Sequence, residues 1–352
     1  MMNNSDDTQA TRTDVTAAAG VPLVVGVVCR DGDRFIEQTL AAVDALAEAR
    51  APNTTEAVLV DSASRDRTGG FMQRFAESRR WVSVYTLSGT VNAAAARNVV
   101  LRHTRLNQRP AAALMLDGDV TVEPAFVTEA LQRIDNGDAD VVYGQLPEIW
   151  YRENGDAYEE KTDRYGVGRE HYEKWFKGVV LLGSSVIGSG LEYNERYERL
   201  EDIEFSLRVA DSHRILAVAS PMGTHHTDGY HSRERLGDFV RKQYQRPIGQ
   251  LFREYWSRPS KLLTIRRSYI GYMVGLMMMG LLIAGLVVLA WSGSKVLLAL
   301  ATGIIVYDFS RFFRQERAHE FLPLRVIGGA QILMGLVLPA RGAGPYDVTP
   351  PL

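Results

Sequence analysis

The sequence predicts an α/β protein, with a domain built on a largely parallel sheet and a helical membrane region after it. Three observations carry this expectation. Apolar strand-like runs alternate with stretches of helical spacing along the first third of the chain, carboxylates stand where those runs end, and Tyr269 to Trp291 contains no charged residue. Strand–helix alternation favours a parallel sheet with right-handed crossovers, and ligands of open α/β sheets bind at the carboxyl ends of the strands.

Residues 1–20 are polar and rich in Ser, Thr, Asp and Ala. With no basic start before an apolar stretch they do not read as a secretory signal, and a disordered leader is expected. Val21 to Val28 (VPLVVGVV) is a continuous β-branched run, as in a strand buried on both faces. The loop CRDGDR follows, then a helix from Phe35 to Ala49, the strand AVLVD ending at Asp61, and the loop SASRDRTGG. A helix over Phe71–Ser78, a strand over Trp81–Leu87, an Ala-rich helix over Asn92–His103 and a strand over Ala111–Leu116 complete the alternation.

Beyond Asp117 the pattern is less regular. Ala139–Gln145 reads as a strand, Trp150–Lys177 has no clean period, and GVVLLGSSVIGSG (Gly178–Gly190) reads as a strand and turn. A short helix with an acidic start is expected over Glu201–Ala210, a loop over His225–His231, and a basic helix from about Arg233 to Tyr244.

The net charge of −2 over 352 residues gives no general attraction to polyanions, so nucleic acid is not an expected partner. The single cysteine, Cys29, lies in an apolar run; it permits no disulfide within the chain, which suits a reducing compartment, and reads as a small buried residue.

Tyr269–Trp291 is long enough to span a hydrocarbon core of about 30 Å. Val296–Phe313 follows after a short linker and suggests a helical hairpin, and Val326–Leu338 a short third span or re-entrant segment. Basic residues at Arg258, Lys261, Arg266 and Arg267, and again at Arg311, Arg314, Arg317 and Arg325, place both flanks and the large domain in the cytosol of a multi-pass inner-membrane protein. Ile248, Leu251, Phe252, Tyr255 and Trp256 share one helical face, as in a helix lying in the membrane interface or packed on the domain. The expected organisation is a leader (1–20), a catalytic domain (21–246), an amphipathic interface helix or linker (247–267), transmembrane helices (268–340) and a tail (341–352).

The chemistry centres on Asp117-Gly118-Asp119 after an apolar strand, where two carboxylates one residue apart can hold a divalent cation and so neutralise a diphosphate. Asp61 ends an earlier strand, NAAAARN spans Asn92–Asn98, and YNERYERLEDIEFSLR spans Tyr193–Arg208. With these residues the chain resembles the family 2 glycosyltransferases of GT-A fold. VDSASRDRT is similar to their VDDGSxDxT element, Ala95–Asn98 to AARN, DGD to DxD, and Tyr193–Arg208 to their acidic element, four elements in the family's order. Two departures stand out: CRDGDR replaces an N-x-x motif, and Ser62 replaces a second acid, so uracil is not singled out over guanine.

The resemblance implies roles residue by residue. Asp61 would bond the nucleotide's base or ribose, Arg97 would pair with phosphate nearby, and Asp117 would position ribose or metal. Asp119 would ligate Mn2+ or Mg2+ with a histidine, His226 rather than His225 or His231. Asp202, beside Glu201, would be the general base. Gln243 and Arg246 are similar to a Q-x-x-R-W acceptor element of processive synthases, but Pro247 stands where the tryptophan would be. The implied activity is inverting transfer of one sugar from a nucleoside-diphosphate sugar to a membrane-associated, polyprenol-linked acceptor in exopolysaccharide or glycolipid assembly. The rivals are a processive polysaccharide synthase and, from another class, a non-catalytic nucleotide-binding membrane scaffold.

Overall fold

The computed structural model describes residues 22–106, 111–152, 154–161, 163–228, 237, 239–292, 303, 322–338 and 342–351. The leader 1–20, His231 and the second apolar segment Val296–Phe313, but for residue 303, lie outside them, as do 233–236 and 238 of the expected basic helix, whose end over 242–244 forms turns.

The alternation begins with β1 (Leu23–Cys29), α1 (Ile36–Glu48), β2 (Thr55–Ser62) and α2 (Thr68–Ala76). β3 (Val82–Gly89), α3 (Ala93–Leu106) and β4 (Ala112–Asp117) follow. All seven residues of β1 are buried, as a strand covered on both faces requires. β1 pairs in parallel with β2 on one side and β4 on the other, and β2 in parallel with β3. The chain thus runs outward from β1 to β3 and then returns to β1's other flank, which opens a crevice at the carboxyl ends of β1 and β4. Opposite Val28 stands Asp117, and opposite Cys29 stands Asp61.

Where sequence periodicity failed, pairing supplied the order. β5 (Val120–Val122) leads to α4 (Pro124–Asp135), β6 (Val141–Gln145), β7 (Glu148–Tyr151), β8 (Ala157–Lys161) and β9 (His171–Glu173). The expected strand and turn at 178–190 is β10 (Val180–Leu182) and a short helix, α5 (Ser184–Gly188). After α6 (Glu201–Val209) come β11 (Ile215–Pro221) and β12 (Gly223–Asp228). Among the described residues the strands form two sheets, one ordered β13-β3-β2-β1-β4-β10-β6-β11-β9 and one ordered β5-β12-β7-β8, where β13 is Tyr346–Thr349. His225 and His226, expected in a loop, therefore lie within a strand that pairs antiparallel with β5 and parallel with β7. Their polar side chains disguised a segment buried by its neighbours.

The C-terminal region holds α7 (Arg246–Glu254), α8 (Pro259–Thr264), α9 (Arg266–Ser292) and α10 (Leu322–Val337). Counted over described residues, no helix is long and apolar enough to cross a membrane; side chains at 278–279, 281–283, 286 and 288–290 of α9 fall outside that set. The apolar face expected in α7 packs on the catalytic domain: Leu251 and Tyr255 join Ile203 and Leu207 of α6, with Tyr197 and Ile265, in a second core. Trp256 is left 82 % exposed. Glycines let the helices close on one another, since a side chain on Gly249 would stand 2.0 Å from the Ile332 carbonyl and one on Gly335 2.1 Å from that of Arg246. The tail expected at 341–352 contains β13, which extends the main sheet by pairing antiparallel with β3.

Leu251→Ala would empty the centre of the second core, and a loss of about 2–5 kcal/mol is expected, read as a fall in the midpoint of thermal unfolding.

Candidate active site

The crevice at the ends of β1 and β4 is a cavity of about 640 Å³, with Ser62, Asn92, Asp117, Asp119 and His225 in its wall. A second cavity of about 710 Å³ contains Arg97, Lys177, Glu201 and Asp202. The two share Ala93, Asp117, Arg164, Glu198, Arg199 and His225 and so form one continuous site.

Its first wall is a clip between the loops after β1 and β2. The Gly32 amide donates to Thr68 Oγ1 at 2.9 Å, the Asp33 amide to Asp66 Oδ2 at 2.9 Å, and the Arg65 amide to Asp31 Oδ1 at 2.7 Å. Asp66 also accepts from the Thr68 amide and hydroxyl at 2.9 and 2.6 Å, and these bonds lower its pKa although burial works against them. Asp31 and Asp66 therefore shape backbone, while the Asp33 carboxylate accepts from Arg67 Nε at 3.2 Å. Asp61 belongs with them: it is buried, accepts from the Ser64 amide at 3.0 Å, and is absent from the cavity wall, where Ser62 stands instead.

In the DGD turn, Gly118 is required by its neighbour, because a Cβ there would meet Cys29 Sγ at 2.2 Å. Burial, with Asp119 next, pushes the Cys29 thiol well up, so it stays neutral. Asp119 Oδ2 lies 3.2 Å from His225 Nε2, and His225 Nδ1 lies 2.8 Å from Glu148 Oε1. Burial opposes protonation of His225, but Asp119 and Glu148 outweigh it and raise its pKa. Glu148 resists the upward push of burial through its bonds to His225 and Trp150 and is held at about 2.

His226 does not face Asp119's carboxylate. Its ring lies 2.9 Å from Gln38 Nε2, 3.2 Å from Thr121 Oγ1 and 2.9 Å from the Tyr151 hydroxyl. Burial, with His225 next, lowers its pKa. Adjacent strand residues point to opposite faces, so only one of the two histidines can look into the cavity. Among the described residues no group of three or more His, Cys, Asp or Glu is gathered as a metal site. One atom does suit a cation: Asp119 Oδ1 is buried without a hydrogen-bond partner among the described residues. Asp119 with His225 is a donor pair that phosphate oxygens could complete.

Arg97 lines the second cavity. Buried on α3, it donates to Asp117 Oδ1 at 2.6 Å through one nitrogen and to Glu201 Oε1 through the other. Asn98 beside it donates to the Tyr193 carbonyl at 3.0 Å and to Glu195 Oε1 at 2.8 Å. Arg97 thus acts as a bridge between two site carboxylates. Leu200 takes a left-handed conformation, φ 65°, and turns the chain abruptly into α6. Asp202 Oδ1 there accepts from the Ile203 amide at 2.8 Å, and the residue lines the cavity. Burial pushes the Glu201–Asp202 pair up against the pull of Arg97, Glu201 to about 7.

Gln243 and Arg246 stand apart from both cavities. Gln243 has φ 52°, and Arg246 donates to its Oε1 at 3.3 Å while opening α7 under α10. The cavity residues from this segment are Lys242 and Tyr244, and the Arg199 guanidinium lies 4.0 Å from the Tyr244 ring centroid. Sequence reasoning missed Glu148, Arg164, Lys177 and Tyr244. None stands in a motif, and only Tyr244, between Gln243 and Arg246, carried a usable signal.

The profile described as Glycosyl transferase family 2 matches residues 25–184, from β1 to the start of α5. Residues 25–184 thus carry the likeness to family 2 glycosyltransferases, on the fold described above. Among solved structures it is similar to a mannosyltransferase, PcManGT from Pyrobaculum calidifontis in complex with GDP-Man and Mn2+, at 15 % identity and TM-score 0.59, over 91 % of this chain and 87 % of that one. It is also similar to residues 1–349 of TarS from S. aureus, at 17 % identity and TM-score 0.47; the match covers 65 % of this chain and 64 % of those residues, under two thirds of their length. No curated protein matches the chain. At these identities the likenesses show the fold.

Arg97→Lys keeps the charge but cannot grip two carboxylates with one planar fork. Turnover of a nucleotide-sugar donor is expected to fall about 100-fold through misplacement of Asp117 and Glu201.

Proposed function

We propose that the protein is an inverting glycosyltransferase that moves one sugar from a nucleoside-diphosphate sugar to a membrane-associated, lipid-linked saccharide. The observation that carries this reading is Asp202 in a cavity that opens, past Asp117 and His225, into the nucleotide-sized crevice. The donor occupies the crevice and the acceptor hydroxyl approaches Asp202. Asp202 takes the hydroxyl proton as the acceptor oxygen bonds to the anomeric carbon. The bond from that carbon to the diphosphate breaks on the opposite face, and the nucleoside diphosphate leaves. Arg164 and Arg199, shared by both cavities, face the charge that develops there. Asp119 and His225 would hold a divalent cation, with Glu148 orienting His225; the cation would neutralise diphosphate charge. The GDP-Man and Mn2+ bound to PcManGT are consistent with such a donor and cation.

Several observations support a membrane setting. Tyr269–Trp291 is uncharged and lies within one helix, whose Met277, Val287 and Trp291 are 60, 63 and 93 % exposed. Arg258 and Arg266 precede it, so the catalytic domain is assigned to the cytoplasmic face of the plasma membrane, where polysaccharide or glycolipid precursors are built. Single transfer is preferred to processive synthesis because Arg246 and Pro247 are buried at the start of α7 and offer no platform to an acceptor sugar.

The test is a screen of detergent-purified protein against UDP-, GDP- and dTDP-sugars, with and without Mn2+, reading donor binding, turnover and product length. One addition per acceptor is expected; a ladder would favour a synthase, and donor binding without turnover a scaffold. Asp202→Asn should lower kcat by about 100-fold or more while donor Kd stays within about threefold. Because Asp202 works deprotonated and burial raises its pKa, kcat should rise with pH along a limb lying above the ordinary carboxylate range. Glu148→Gln should weaken Mn2+ binding in the presence of nucleoside diphosphate about 10–100-fold, measured by titration of the free ion.

A further inference from the structure

A third cavity, of about 460 Å³, lies between the catalytic domain and the foot of α9. It shares Tyr165, Trp175 and Lys177 with the cavity that holds Asp202. Its far wall is formed by Ser260, Leu263 and Thr264 of α8, then Ile265 and Arg266, where the apolar helix begins. The groove therefore runs from the proposed base to the start of the uncharged helix.

Its chemistry changes along that path. Lys174, Lys177 and Arg266 supply cations, while the acid in the wall, Glu173, is engaged by His171 at 2.9 Å. Burial, with Arg164 next, lowers the pKa of Lys177. The Lys177 ammonium stands 4.7 and 5.5 Å from the ring centroids of Tyr165 and Trp175. At the outer end Leu263 is 58 % exposed. A basic, aromatic-walled throat with an apolar lip suits a ligand that joins an anionic group to a hydrocarbon chain.

We propose that this groove is the acceptor site, binding the phosphate of an isoprenoid-linked saccharide between Lys174, Lys177 and Arg266 while the chain leaves over Leu263 toward the membrane. The assignment rests on the glycosyltransferase reading and adds to it where the acceptor lies and which group anchors it. The saccharide would extend past Trp175 to Asp202. Lys261 fixes the geometry of the lip, since its ammonium donates to the Leu207 carbonyl at 2.8 Å and to Asp211 at 2.6 Å and so ties α8 to the end of α6.

The test uses the full chain in detergent with farnesyl phosphate as probe, compared with farnesol, inorganic phosphate and vesicles containing phosphatidylglycerol. Saturable binding of farnesyl phosphate at least about tenfold tighter than farnesol or phosphate is expected, as two modest contributions combine in one ligand. The double variant Lys174→Glu/Arg266→Glu should lose at least about tenfold of that affinity, and Leu263→Glu should weaken farnesyl phosphate more than inorganic phosphate. Binding within twofold of the parent in the double variant would overturn the assignment. So would equal binding of farnesol and farnesyl phosphate, or loss of vesicle binding alone, which would leave only a basic membrane-facing patch. Nucleotide-sugar binding is measured on the same samples. If the parent binds no donor, the glycosyltransferase reading itself has failed; if it binds donor but not farnesyl phosphate, the groove assignment alone has failed. Donor binding retained by a variant shows that the variant is folded.

Discussion

A buried guanidinium between two carboxylates holds this site together. Arg97 is only 4 % exposed, which is tolerable because Asp117 and Glu201 take both ends of its fork. The three residues come from α3, the end of β4 and the start of α6, so the bridge joins the crevice at the ends of β1 and β4 to the helix that carries Asp202. Asn98, one residue on, grips Tyr193 and Glu195 and fixes the approach to the same helix. The space around the bridge is tight: a Cβ on Gly178 would stand 2.9 Å from Arg97 Nη2.

The layers outside this centre each secure one of its edges. The second core clamps α6 from outside through Leu251, Tyr255 and Ile265, and the Tyr255 hydroxyl donates to the buried Glu204 at 3.1 Å. From the other side β13 closes the sheet edge, and the Tyr346 hydroxyl donates to Glu195 Oε1 at 3.0 Å while the Ala343 amide donates to the Glu195 carbonyl at 2.8 Å. The last described strand of the chain thus braces the loop that leads into the proposed base. The helices α7 and α8 and the strand β13 thus bear on one nine-residue helix, α6, and the loop before it.

This arrangement gives electrostatic preorganisation. Desolvation raises the Glu201–Asp202 pair, Arg97 limits the rise, and Glu148 holds His225 toward Asp119. Two buried carboxylates, Glu201 and Glu148, move in opposite directions because lost hydration outweighs Arg97 at the more deeply enclosed Glu201, while at Glu148 the bonds to His225 and Trp150 together outweigh it. Their separation follows from partners that are remote in sequence.

The amino-acid sequence by itself determined the alternating first half, because apolar runs of strand length and helical spacing are local properties, and it placed the carboxylates at strand ends. The uncharged run at 269–291 is local in the same sense. Which acid faces the cavity was decided only by tertiary structure: Asp61 turned inward to the Ser64 amide while Ser62 lined the crevice, since pleating sends neighbours to opposite faces. The same alternation chose His225 over His226. The strands β7 and β12 were illegible because Glu148, His225 and His226 were buried by partners far along the chain, and β8 because its five exposed residues become a strand only by pairing with β7; Gln243 and Arg246 were drawn away by close packing of α7 against α10. Periodicity reports what one segment can do alone; facing, pairing and burial of polar groups depend on what the rest of the chain brings to meet it.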